Sequence, residues 1–70
     1  MKPTLREKEI YQFIKAFKDN YGTSPSAGDV AKGFDISKTG ARNFLYALQR
    51  KGCIEFTYDQ DKMKGIKCLI

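Results

Sequence analysis

The sequence predicts an α+β fold, three helices followed by a C-terminal β-hairpin, on three observations. Apolar residues recur at steps of three and four through three stretches before residue 52. Gly22, Pro25 and Gly52 stand where such stretches must stop. Residues 53–70 then change to β-type composition around the polar loop "DQDKMK".

"TLREKEIYQFIKAFKDNYG" opens with a capping box, Thr4 as N-cap and Glu7 three residues on, with Pro3 before it. Ile10, Phe13, Ile14, Phe17 and Tyr21 form its apolar stripe, and Gly22 ends it. Pro25 holds Ser24 extended, and Ser26 caps a second helix, "AGDVAKGF", with Val30, Ala31 and Phe34 inward. Gly33 weakens that helix by about 1 kcal/mol relative to Ala, so packing must hold it. In "DIS", Asp35 tolerates left-handed backbone, Ile36 plugs the core and Ser37 caps the third helix, expected from Lys38 to Lys51. Two helices this closely spaced make a helix-turn-helix. In the hairpin, Ile54, Phe56 and Tyr58 share one strand face, and Ile66, Cys68 and Ile70 share one face of the other. The order is that of a three-helix winged helix-turn-helix with a C-terminal β-hairpin wing.

Seventy residues, 41% of them hydrophobic and including five Phe and four Tyr, build one small core, so a single domain over 1–70 is expected. The net charge of +5 suits a polyanionic partner, and it is unevenly placed. Residues 1–36 hold six basic and five acidic side chains; residues 37–70 hold seven and three. No stretch has the length of a membrane span or the apolar run of a signal peptide, which points to a cytoplasmic protein. Two cysteines and no histidine offer neither a disulfide scaffold nor a zinc set. Strand alternation sets Cys53 and Cys68 on opposite sides of the sheet, so no bridge is expected. No metal and no cofactor are called for, and without His, a glycine-rich phosphate loop or a placed carboxylate pair, catalysis has little support.

The third helix carries the chemistry. Ala41, Phe44, Leu45 and Leu48 occupy one side, which leaves Ser37, Lys38, Thr39, Arg42, Asn43 and Tyr46 projecting from its N-terminal half. In a helix-turn-helix this half enters the major groove. Arg42 can donate twice to guanine, Asn43 can pair with adenine, and Thr39 can meet a base edge or a thymine methyl. Ser37, Lys38 and the open N–H groups of the first turn suit a phosphate. A solvated polar face is the competing reading of the same residues. Gly40 is awkward here, either a close approach to helix two or DNA, or merely tolerated. At the wing tip, Lys62 and Lys64 are expected to touch phosphate, an attraction blunted by Asp59 and Asp61; entry into the minor groove and a plain solvated turn are the other readings. Arg50 and Lys51 complement the helix dipole, and Arg6, Lys8, Lys15 and Lys18 read as a solvated face among Glu7, Glu9 and Asp19.

The stretches "EIYQFIKAF", "YGTSPSAGDVA", "ISKTGARNFLYALQRKGCI" and "KGIKCLI" together resemble the N-terminal DNA-binding domain of LexA-type repressors over nearly the whole chain. The resemblance implies a winged helix-turn-helix that binds operator DNA, and by position its DNA-facing residues would be Ser37, Lys38, Thr39, Arg42 and Asn43, with Tyr46 beside them. Asp35 stands where that family's turn commonly has glycine, and Gly33 where longer side chains occur. The DNA-facing side chains differ from those of a typical LexA, so its operator does not transfer. The family's hinge and self-cleaving, dimerising C-terminal domain have no counterpart here, so no Ser–Lys protease function is expected; a natural one-domain regulator and an excised fragment both fit.

The expected function is therefore a sequence-specific regulator of transcription, a repressor, with double-stranded DNA as partner. A homodimer formed on symmetric half-sites is a further partner, although no heptad seam holds one in solution. The alternative is a winged-helix module that binds a protein partner, another regulator or the transcription machinery, through helix one or the hairpin, with Tyr11, Tyr46 and Tyr58 at its surface. A third reading, replication or recombination, would position duplex DNA instead of controlling a promoter.

Overall fold

Local capping chemistry sets all three helix starts. The computed structural model describes residues 2–60 and 62–70, with 62 and 63 described by backbone alone. In α1 (Leu5–Tyr21), Thr4 Oγ1 accepts from the Glu7 N–H at 3.2 Å, and the Thr4 N–H donates to Glu7 Oε1 at 2.7 Å. In α2 (Ala27–Phe34), Ser26 and Asp29 make the same reciprocal pair. In α3 (Lys38–Arg50), Ser37 Oγ accepts from the Gly40 N–H at 3.0 Å, and Lys51 is the C-cap. Gly22 ends α1 at φ 72°, and Gly52 follows α3 at φ 79°, backbone that a side chain would strain. Asp35 takes the left-handed turn after α2 at φ 54°, ψ 47°, so the position where glycine is common is held by a residue that tolerates the same geometry.

Ile10 and Ile14 of α1, Val30 of α2, Ala41 and Leu48 of α3, and Ile54 and Ile66 of the hairpin form the buried centre. The aromatic end of the α1 stripe lies outside it: Phe13 and Phe17 are half-buried and Tyr21 is exposed. Phe13 packs against the core from its edge, and Phe17 and Tyr21 continue the stripe by packing on one another, ring centroids 4.6 Å apart. Gly33 has a packing reason: a Cβ there would stand 2.8 Å from Phe13 Cε2, and the Phe13 ring in turn meets Phe34 edge-on at 5.4 Å.

Strands β1 (Ile54–Asp59) and β2 (Lys62–Cys68) pair antiparallel, with Ile54 opposite Cys68 and Phe56 opposite Ile66. Phe56 and Ile66 turn their backbone groups away from each other, as a non-hydrogen-bonded pair does. The Phe56 N–H donates to Gln49 Oε1 at 3.1 Å. Ser24 Oγ accepts from the Ile66 N–H at 2.9 Å and donates to its carbonyl at 3.1 Å; Lys18 Nζ donates to that carbonyl at 2.8 Å. One serine in the α1–α2 turn thus satisfies a strand edge that a third strand would otherwise cover. Gly65 lets the turn approach, since a Cβ there would lie 3.2 Å from Ser24 Oγ.

The register shifts between Thr57, opposite Gly65, and Tyr58, opposite Met63, which makes Lys64 the extra residue of a bulge. Beyond the Phe56–Ile66 pair no described hairpin residue is buried, so Tyr58, expected inward, is 62% exposed. Ile70, also expected inward, lies past the end of β2 and is exposed, while its carbonyl accepts from the buried Tyr11 hydroxyl. Cys53 precedes β1, so strand alternation does not govern it; it is buried beside Tyr11, as part of Cys68 is, and both thiols are free. Burial, with these thiols nearby, pushes the Tyr11 phenol above its ordinary value. The arrangement is a three-helix winged helix-turn-helix. Among the described residues no helix is long and apolar enough to cross a membrane.

Candidate nucleic-acid interface

Helix α3 buries Ala41, Leu45 and Leu48 and half-buries Phe44, which leaves Lys38, Thr39, Arg42, Asn43 and Tyr46 exposed, with Ser37 exposed at the cap. At 100° per residue Lys38, Arg42 and Tyr46 form one row and Thr39 and Asn43 a second beside it. The first row borders a groove of about 350 Å³ closed by Ser26 and Ala27 at the start of α2 and by Phe56 of β1. Tyr46 is held in that wall by an edge-on contact with the Phe56 ring, 5.6 Å between centroids. Ser26 was read from sequence only as a cap; its place in the groove depends on how α2 crosses α3.

The three helix starts differ electrostatically. Glu7 and Asp29 sit at the third position of α1 and α2 and place a carboxylate on each positive pole. Asp29 is held below the ordinary carboxylate range by the Ser26 backbone N–H and then by its hydroxyl. Helix α3 has Gly40 at that position and no acid in its first turn. A Cβ at Gly40 would meet only Ser37 Oγ, at 3.2 Å, so the residue is not there for close helix packing. Its effect is to leave the α3 pole positive, with the Lys38 and Thr39 N–H groups open to an anion. Neither Lys38 nor Arg42 has a carboxylate partner among the described residues.

Several basic residues read from sequence as solvated or dipole-complementing are committed elsewhere. Lys51 Nζ pairs with Glu7 Oε1 at 2.6 Å, both side chains largely covered, tying the end of α3 to the start of α1. The bond from Lys51, and next the Thr4 N–H, hold the Glu7 carboxyl below its ordinary value. Arg6 pairs with Glu9 and lies 5.4 Å from the centre of the Phe34 ring. Lys64 is exposed at the bulge and lines a separate groove with Lys18 and Lys67, so it stands apart from the Lys38–Arg42–Tyr46 row. The side chain of Lys62 lies outside the described residues. Tyr11, assigned to a protein-binding surface in the alternative reading, is buried at 6% exposure and cannot serve there.

The profile of the LexA DNA-binding domain matches residues 1–62. The chain belongs to this family. The LexA repressor of Methylococcus capsulatus is 40% identical over 71 residues, covering 99% of this chain and 34% of its own length. That of Pseudothermotoga lettingae is 41% identical over 49 residues, 70% of this chain and 24% of the repressor. This LexA-family chain therefore spans about a quarter to a third of the curated relatives it matches. Among solved structures, the apo-Zalpha domain of zebrafish PKZ shares the fold, with a TM-score of 0.62 at 23% identity over 93% of this chain and 98% of that one.

Proposed function

We propose that residues 1–70 act as one DNA-binding unit of a transcriptional repressor, reading a specific double-stranded sequence through the major groove with α3. The observation that carries this reading is the first turn of α3. It alone among the three helices lacks a carboxylate at its third position, and it presents Ser37, Lys38, Thr39, Arg42 and Asn43 on one exposed side. Family membership and the name repressor borne by the relatives support it.

In this reading Ser37, Lys38 and the open N–H groups hold a phosphate, while Arg42, Asn43 and Thr39 address base edges. Tyr46 steadies the row, and the wing lysines Lys62 and Lys64 contact the backbone. Two copies occupy symmetric half-sites on the duplex and are monomers when free. A cytoplasmic location accompanies such a partner, and no catalytic role is assigned.

Selection of bound duplexes from a random pool, repeated with Arg42→Ala at two salt concentrations, tests the proposal. An enriched motif that loses definition at one base pair, by about 1–3 kcal/mol, is expected for the variant. Equal losses of Arg42→Ala on the selected and on random duplexes would refute base reading.

A further inference from the structure

A groove of about 450 Å³ lies between the end of α1, the turn that follows it and the two strands. Its walls carry three lysines, Lys18, Lys64 and Lys67, and the hydroxyl residues Thr23, Ser24 and Thr57; among the described residues no carboxylate lines it. Lys18 is half-buried, fixed by its bond to the Ile66 carbonyl, and has no carboxylate partner among the described residues. An ammonium has three N–H donors, so two remain for another acceptor. A partly desolvated cation whose partner is a neutral carbonyl gains from an added anion, because part of its hydration has already been given up.

The construction of the groove keeps it open. The bulge at Lys64 turns that side chain out of the strand alternation and places it beside Lys67. Gly65 and Gly22 line it without side chains. Glu55 sits opposite Lys67 in the register and lies outside the lining.

We infer that this groove is a second anion site, which takes a phosphodiester of the DNA flanking the segment read by α3. The inference rests on the DNA-binding reading above. Continuity argues for the same duplex: Ser24 lines this groove and Ser26 the α3 groove, two residues and at most about 7 Å along one turn. Phe56 and Thr57 likewise line the two grooves from adjacent positions of β1.

The test compares the selected duplex with and without about one helical turn (~10 bp) of random flanking sequence on each side. The binders are the full chain and its Lys67→Gln variant, an exposed position outside the core that has no part in the α3 reading. Flanks are expected to tighten wild-type binding about tenfold at low salt, and the variant to lose a large part of that gain. On the flanked duplex the slope of log K against log salt should fall by about 0.9 in the variant, one lysine's share, and on the short duplex it should not change. No gain from flanks in the wild type, or the same gain in the variant, overturns the inference. Inorganic phosphate that shifts the Ser24, Gly65 and Ile66 amides while flanks add nothing assigns the groove to a free anion and overturns the DNA assignment. If the flank gain holds while Arg42→Ala leaves specificity intact, the α3 reading fails and the groove stands.

Discussion

Glu7→Gln removes one negative charge at the junction of α1 and α3 and leaves the shape of the side chain nearly unchanged. The glutamine carbonyl still accepts from the Thr4 N–H, so the loss falls on the charge-assisted bond to Lys51, 2.6 Å long in the native protein. Such a bond contributes about 1.5–3 kcal/mol. Lys51 keeps 15% side-chain exposure, so water screens the pair and the lower half of that range applies, about 2 kcal/mol. In a domain of this size each kcal/mol moves Tm by about 4–8 °C, so a fall of about 8–16 °C is expected at pH 7. The pH dependence separates charge from packing. The folded-state pKa of Glu7 lies below its ordinary 4.5, so its stabilisation is fully present above the unfolded value and is lost as pH falls through the folded one. Urea unfolding of the two proteins should therefore differ by about 2 kcal/mol at pH 7 and converge as the pH is lowered past the folded-state pKa. A difference below about 0.5 kcal/mol at pH 7, or one undiminished in acid, would refute the argument.

Gly40→Glu should build the missing reciprocal cap, leaving thermal stability equal or higher, while its carboxylate on the α3 pole weakens binding to the selected duplex about fivefold, near 1 kcal/mol; unchanged affinity by fluorescence anisotropy would count against the open-pole reading. Gly33→Ala should destabilise by about 1 kcal/mol in chemical denaturation despite alanine's better helix propensity, because the new methyl presses on Phe13, and combining it with Phe13→Leu should recover part of the loss. Ser24→Ala leaves the Ile66 N–H without its partner and should cost about 1–3 kcal/mol, with faster amide exchange at Ile66 as the local signature.

Helix boundaries were legible because their causes are local. Thr4 with Glu7, Ser26, Ser37 and Gly52 act within one turn of where they stand, and each was found where the residue pattern placed it. The exposed row of α3 was legible for the same reason, since buried Ala41, Leu45 and Leu48 fix the opposite side. The hairpin was less so: alternation alone carried Tyr58 and Ile70 inward, whereas core depth ends at Phe56 and Ile66.

Sequence by itself determined the element order, the caps, the basic surplus of the second half and which side chains of α3 could face a partner. Tertiary structure alone decided that Glu7 pairs with Lys51 across 44 residues, that Ser24 holds Ile66 across 42, and that Gly33 yields its space to the ring of Phe13. It also divided the lysines, committing Lys51 to an ion pair and gathering Lys18, Lys64 and Lys67 around one groove. The physical reason is range: capping and helical periodicity act over one turn, whereas charge pairing and steric fit depend on how distant segments are brought together by packing.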